Sequence, residues 1–498
     1  MSHSVSRDIE LTSDVVADRT PAISYQDTTT ADEPQFNEQH LAPVDGGRAA
    51  WKLLVTAFVF EALLWGFPLS FGVFQEYYSR QPEFRDNRYI SVVGTVATGL
   101  SYLGAPLTIP IIKRFQKYQR HMIWIGCTPL CILGLVAGSF ASTLEYLILS
   151  KGVLYGLGFL IFYYPILSMV NEYWIQRRGM AYGLLCSATG LSGTVLPLLT
   201  ETLLNRYGHR TTLRIMAVSL TILTGPLIPF LKPRLPASHH TTSQKTDWSF
   251  LRSPLFHIYS LSNILQGLAY FLPALYLPST ATTLGSSPRI AALLLTTMSL
   301  AQTIGQFLFG YLSDLLSRPS PSHPPSPHST PPSSPNPDPS SSSPPPTNNN
   351  LNLLLALTTL ISSLSLPLWA LPSSLPPLFL FAALYGLFAT AFTALWARMA
   401  SSVTANPGTT PMVFALFNAG KGVGNVLSGP ISAGLLRAGR SGDQRGAGKG
   451  GFVGVVGFTG GMMLLSALVM GGWWAGGVMK GGWQRVGSWV SRMGRMMG

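Results

Sequence analysis

The chain has 498 residues, 47% of them apolar and 11% charged, less than half the roughly 25% charge of a soluble domain. That balance excludes a cytosolic globule, a disordered regulator and a disulfide scaffold, and it supplies apolar material for about twelve helices of some 20 residues each. The formal charge of +13 does not point to nucleic acid. The basic residues fall in short runs between long apolar stretches, where membrane topology places them.

In chain order, residues 1–47 are acidic and rich in Ser and Thr, with no basic region leading into an apolar one, and read as a disordered cytosolic tail rather than a secretory signal. Six candidate membrane spans follow at about 51–74, 90–112, 121–141, 145–170, 180–203 and 211–231. Residues 232–255 form a polar cytosolic linker. Six further spans lie at about 256–278, 290–314, 351–371, 375–398, 411–436 and 451–475. The expected fold class is therefore an all-α membrane protein with twelve transmembrane helices in two six-helix halves, 48–231 and 256–475. Such a layout suits a transporter built from related halves. Residues 319–350, with 13 prolines, cannot cross lipid and read as a cytosolic insertion in the second half, a tolerated loop expansion in preference to a partner-docking segment. Residues 476–498 read as a cytosolic C-terminal tail.

With the N-terminus inside, cytosolic segments carry 20 of the 33 Lys and Arg and outer loops 11. This bias favours both termini in the cytosol. Arg437, Arg440, Arg445 and Lys449, in a loop assigned to the outside, run against it.

Residues 45–52 (DGGRAAWK) running into 61–75 (EALLWGFPLSFGVFQ) resemble the monocarboxylate-transporter-like branch of the major facilitator superfamily, most closely its fungal members. The resemblance continues through 171–190 (NEYWIQRRGMAYGLLCSATG), 310–314 (GYLSD) and 417–432 (FNAGKGVGNVLSGPIS). It implies that roughly residues 45–475 share that fold, that the lipid bilayer of the plasma membrane is the setting, and that the cargo is a small organic solute, most simply a carboxylate, with protons as an optional co-substrate. It also implies a cytosolic latch at Asp314, facing the loop with Arg177 and Arg178. The equivalent first-half loop (109–120) has no acidic residue, so one latch of the pair is recognisable.

Charged and amide groups inside spans are costly and need a reason. Glu61, about ten residues into the first span, is either a hydrogen-bonded structural carboxyl or a proton-coupling group. Lys421 lies too deep in the eleventh span to snorkel. With Asn418, Asn425, Ser428 and Ser432 it recurs at steps of three and four, placing one polar stripe on one helical face. That stripe faces either a substrate passage or a packed polar seam. Tyr259, Asn263, Gln266 and Tyr270 share a face of the seventh span, and Gln302 and Gln306 sit one turn apart in the eighth. The substrate-path candidates are thus Glu61, Asn263, Gln266, Tyr270, Gln302, Gln306, Asn418, Lys421 and Asn425. Tyr385 and Trp396 read as packing aromatics, Lys151 as a snorkelling residue and Arg398 as a mark of topology.

The family's carboxylate carriers place a Lys in the first span and an Asp–Arg pair in the eighth. Here the first position is Leu69 and the eighth span carries neither charge before Asp314, so a proton–lactate mechanism does not transfer directly. Small residues at Gly183, Ser187, Gly190 and Gly193 allow close helix approach. No phosphate-binding loop, metal-ligand spacing or catalytic constellation occurs, so no cofactor, metal or enzymatic activity is expected. The leading expectation is a secondary active transporter working by alternating access. The alternatives are an exporter of a fungal secondary metabolite and, in another class, a non-transporting membrane sensor.

Overall fold

The computed structural model describes residues 42–81, 90–234, 246–317, 349–370, 374–442 and 452–496. Most of the acidic tail, most of the Pro/Ser-rich insertion and the middle of the linker fall outside them, as does the end of the basic loop that begins near 437. Every long regular element among the described residues is helical.

The first span is α1 (Gly47–Leu64) and α2 (Gly66–Arg80), broken at Trp65. The second is α3 (Ser91–Leu103) and α4 (Ala105–Arg114), bent by 50° at Gly104. The third runs through α5 (Gln119–Ile125), a π-helical turn (Gly126–Ile132) and α6 (Leu133–Gly138), the fourth through α7 (Leu144–Leu147), a second π-helical turn (Ile148–Leu154) and α8 (Tyr155–Tyr173). A continuous stretch, α9 (Arg178–Thr224), contains the fifth and sixth spans. At 47 residues it would be about 70 Å long as one helix, over twice the hydrocarbon thickness. The backbone turns out of helical geometry at Gly208, with φ 74° and ψ 172°, a conformation open to glycine because it has no Cβ.

The seventh span is α10 (Pro254–Tyr270) and α11 (Leu272–Thr283). The eighth is α12 (Pro288–Leu316), and the ninth is α13 (Asn349–Leu364) with α14 (Pro367–Ala370). The tenth is α15 (Leu375–Ala389), α16 (Ala391–Ala394) and α17 (Trp396–Val403). The last two are α18 (Thr410–Gly442) and α19 (Val453–Met496). α19 continues in helix well past its apolar stretch, which ends at Gly477. Among the described residues eight stretches are long and apolar enough to cross a membrane, nine with the bent second span, and α9 counts there once. Counting α9 twice and adding α10–α11 and α18, which are helical but outside that count, gives the twelve-helix layout expected above.

Large apolar side chains face outward, including Leu107, Ile222 and Leu468, as a lipid-facing surface requires and an aqueous one would not tolerate. Inside, hydroxyls in this low-dielectric setting bond back to their own helices, as Thr108 does to the Gly104 carbonyl at 2.9 Å.

α9 and α12 pack backbone to backbone. A Cβ on Gly183 would lie 2.6 Å from the Gln306 carbonyl oxygen and 2.9 Å from the Gly310 Cα, and one on Gly190 would lie 2.8 Å from the Ser299 carbonyl oxygen. Because these obstacles are main chain, they cannot step aside. We expect Gly183→Leu to destabilise the protein by about 1–3 kcal/mol, the usual scale of overpacking, read as a lowered melting temperature in detergent. An unchanged melting curve would show that the two helices separate without cost.

Candidate substrate site

The site is built around Lys421. Gly424, one turn further along α18, packs on Gly267 and Leu268 of α10, where a Cβ would meet main chain at 2.6–2.8 Å. This close crossing seals Lys421 from the surface; it is 0% exposed. Its ammonium donates to Gln266 Oε1 at 2.7 Å and lies 3.4 Å from the Tyr270 ring centroid and 6.0 Å from that of Trp396. Among the described residues no carboxylate pairs with it.

Gln266 is held in place by its other end, Nε2 donating to the Ala389 carbonyl at 2.8 Å, the last residue of α15 before the break in the tenth span. A carbonyl only accepts and an ammonium only donates, so the amide orientation follows from its partners. Asn263 donates to the Phe417 carbonyl at 2.6 Å and accepts from Trp396 Nε1 at 2.9 Å. Trp396, expected to pack in preference to binding, borders the site through Asn263 and Lys421.

Across the bundle, Glu61 is 3% exposed. Its Oε1 accepts from Trp65 Nε1 at 2.9 Å and Tyr163 Oη at 3.2 Å, while Oε2 has no partner. Cys186 of α9 lies within electrostatic reach of both Glu61 and Lys421, and Tyr102 of α3 within reach of both Glu61 and Tyr270. The two buried groups thus share one central aromatic-lined region without touching each other.

The other expected residues divide. Gln302 donates to Thr189 of α9 at 3.2 Å, crossing between helices, and Gln306 donates to Thr393 at 3.2 Å with its Oε1 unpartnered. Both side-chain polar atoms of Asn425 are buried and unpartnered. Asn418 bonds back to the Phe414 carbonyl of its own helix at 3.2 Å. Tyr259 points away to Asn352 at 2.7 Å, and Ser432 accepts from Tyr276 at 2.9 Å.

At one end of the bundle Asp314 accepts from the backbone N–H groups of Gly179 (2.9 Å) and Met180 (2.7 Å) at the start of α9, where the helix dipole favours a carboxylate. It also pairs with Arg398, which donates in turn to the Gln176 carbonyl. Arg398 is therefore a latch partner as well as a basic residue at a span end. Arg178 donates to the Trp174 carbonyl at 3.4 Å. Arg177 is exposed, and its contribution is a backbone N–H given to Asp45 Oδ1 at 2.8 Å. Asp45 also accepts from the N–H groups of Ile175 and Gln176.

On the side where no latch was recognisable, Lys113 at the end of α4 donates to the Gly408 carbonyl and to Thr246 Oγ1 (2.9 Å), while Asp247 N–H donates to Thr409 Oγ1 at 3.1 Å. Lys151 also departs from expectation. It does not snorkel: it is fully buried, donates to Tyr78 Oη, and lies 4.7 Å from the Phe74 and Tyr78 ring centroids.

One signal in the sequence pointed to residues that the spacing of charges missed. Residues 61–68 (EALLWGFP) and 266–273 (QGLAYFLP) repeat one arrangement. Each has an acidic or amide residue, an aromatic one turn later at the helix break, and a proline three residues beyond. The prolines lack an N–H, which frees the carbonyls of Leu64 and Ala269. A tyrosine from the partner span satisfies each: Tyr155 donates to Leu64 at 2.7 Å, Tyr385 to Ala269 at 3.4 Å.

Twelve helices around a sealed, charged midpoint, with paired breaks in the first and seventh spans, define a membrane carrier of two related halves. The chain belongs to the Major Facilitator Superfamily, whose signature matches residues 53–321. It is 27% identical over 283 residues to the MFS-type transporter pytF of Aspergillus terreus, covering 56% of this chain and 95% of that one. It is 31% identical over 280 residues to monocarboxylate transporter 13 of Bos taurus (56% and 64%), and 26% identical over 279 residues to the fujikurins efflux protein of Gibberella fujikuroi (55% and 59%). The solved structure of FucP, a Major Facilitator Superfamily transporter in the outward conformation, superposes with a TM-score of 0.59 at 11% identity, covering 84% of this chain and 98% of that one. The chain is a multi-pass membrane transporter of small molecules, and not an enzyme.

Proposed function

We propose that the protein carries a small organic carboxylate across the plasma membrane, with Lys421 anchoring the anion and Glu61 carrying a proton. The observation that bears the reading is a fully buried ammonium whose partners are all neutral. A buried cation in a membrane protein calls for a counter-charge, and a transported anion supplies it. The kinship with a monocarboxylate transporter supports the same class. Glu61, with one oxygen free, faces the same region from the other half. The basic side chains of Lys113, Arg178 and Arg398 at the latch end support a cytosolic face there under the positive-inside rule, in keeping with termini on the cytosolic side and with halves at 48–231 and 256–475.

The test is reconstitution into liposomes with an imposed pH gradient and a panel of labelled carboxylates. Accumulation of at least one is expected; failure of every member to accumulate or to compete for binding would sink the reading. Glu61→Gln is expected to keep downhill exchange within about threefold of wild type while abolishing accumulation driven by the pH gradient. Retained accumulation would remove Glu61 from the coupling. Export of a larger secondary metabolite is the second reading, favoured by the fungal efflux relative and by the aromatic residues Trp65, Tyr102 and Trp396 around the site. Net flux outward from inside-facing vesicles would select it.

A further inference from the structure

The first and seventh spans break at an aromatic residue that covers a buried polar group of the site. Trp65 covers Glu61 by an N–H bond, and Tyr270 covers Lys421 by its ring face, 3.4 Å from the ammonium. The Tyr270 ring occupies the side of the ammonium left over after Gln266 has taken another. Lys421 is completely buried whereas Tyr270 is partly exposed, so of the two residues Tyr270 is the one that reaches open space.

Tyr270 also sits at a joint. It is the last residue of α10, and α11 begins two residues later with Pro273 in its first turn. The Pro273 ring cannot give the Ala269 carbonyl its usual helical N–H partner, so that carbonyl accepts from the Phe271 N–H and from Tyr385, whose hydroxyl reaches the carbonyls of both Ala269 and Tyr270 at 3.4 Å. Beyond the joint α11 packs chiefly on α12 and α15 of its own half.

We propose that Tyr270 is the gate and selectivity residue of the anion site: its ring stands in for the substrate carboxylate at Lys421, and the joint at 270–273 lets it withdraw when an anion takes its place. The proposal rests on the anion reading of Lys421. Ring and carboxylate compete for one face of one ammonium, so removing the ring's π face should tighten anion binding, and a substrate bearing its own aromatic ring can replace what Tyr270 gives up.

The experiment measures equilibrium binding of labelled benzoate and lactate to the purified full-length protein. Tyr270→Phe keeps the ring and is expected to match wild type within about twofold. Tyr270→Leu keeps the bulk without the π face and is expected to bind both probes about tenfold more tightly and to narrow the preference for benzoate over lactate. Lys421→Gln is the control, expected to lose binding of both. If Lys421→Gln binds normally, the anion reading itself fails. If it loses binding but Tyr270→Leu behaves as wild type, the gate alone is overturned. Pro273→Ala provides a second variant that keeps the site intact. Restoring the main-chain bond should stiffen the joint and slow exchange about tenfold at unchanged affinity, and unchanged exchange would overturn the hinge.

Discussion

Lys421→Gln is expected to abolish carboxylate transport while making the empty protein more stable. The replacement keeps a neutral polar donor on the side of Gln266 Oε1 and removes the charge. A hydrogen-bonded buried charge pair loses about 3 kcal/mol when one partner is removed, which corresponds to about a hundredfold in affinity. The same charge disfavours the fold, since a lysine near the centre of a membrane helix costs about 2.5–3.5 kcal/mol on insertion scales. Here Gln266 and the Tyr270 and Trp396 rings recover only part of that cost. The two effects therefore have opposite signs, which a structural lysine would not produce. The measurements are the melting temperature without substrate, expected to rise, and labelled benzoate or lactate binding, expected to vanish. A variant that melts lower and still transports would place Lys421 among the packing residues.

Lys421 was legible in the sequence because helical spacing alone puts Asn418, Lys421 and Asn425 on one face and because a charge that deep needs a partner. Spacing says which face a residue shares, but not which helix that face meets. Asn418 turned back on its own backbone, and Tyr259 turned to Asn352. Arg398 sits at a span end, where a cation satisfies membrane topology whatever else it does, so its bond to Asp314, 84 residues away in the chain, had no local signature. Lys151 misled for the related reason that nearness to a helix end permits snorkelling. Whether Phe74 and Tyr78 box the amine depends on how the first span packs on the fourth. The repeated arrangement of 61–68 and 266–273 was present in the sequence all along. It escapes a search for charges because Gln266 stands where the first half has Glu61.

The latch end shows how one closure can be built with two polarities. Asp314 closes one side by accepting N–H groups at a helix start, and Lys113 closes the other by donating to the Gly408 carbonyl and the Thr246 hydroxyl. The first combines an ion pair with charge-assisted bonds, the second gives a cation to neutral acceptors, and the first is the stronger. Asp314→Asn should therefore open the protein at this end far more than Lys113→Gln. The amide keeps one acceptor oxygen and turns an NH₂ group toward either a main-chain N–H or the Arg398 guanidinium, so at least one bond becomes repulsive. A loss of about 3 kcal/mol from the closed state shifts the closed-to-open ratio by about two orders of magnitude. The loss from Lys113→Gln should stay near 1 kcal/mol. Cys186 is a native reporter, since it borders the central region while Cys127 and Cys131 are buried. Labelling by a membrane-impermeant maleimide added at the latch end should accelerate strongly in Asp314→Asn and severalfold at most in Lys113→Gln, with net transport falling in the first. Equal labelling rates in wild type and Asp314→Asn would mean that the carboxylate does not hold the closed state.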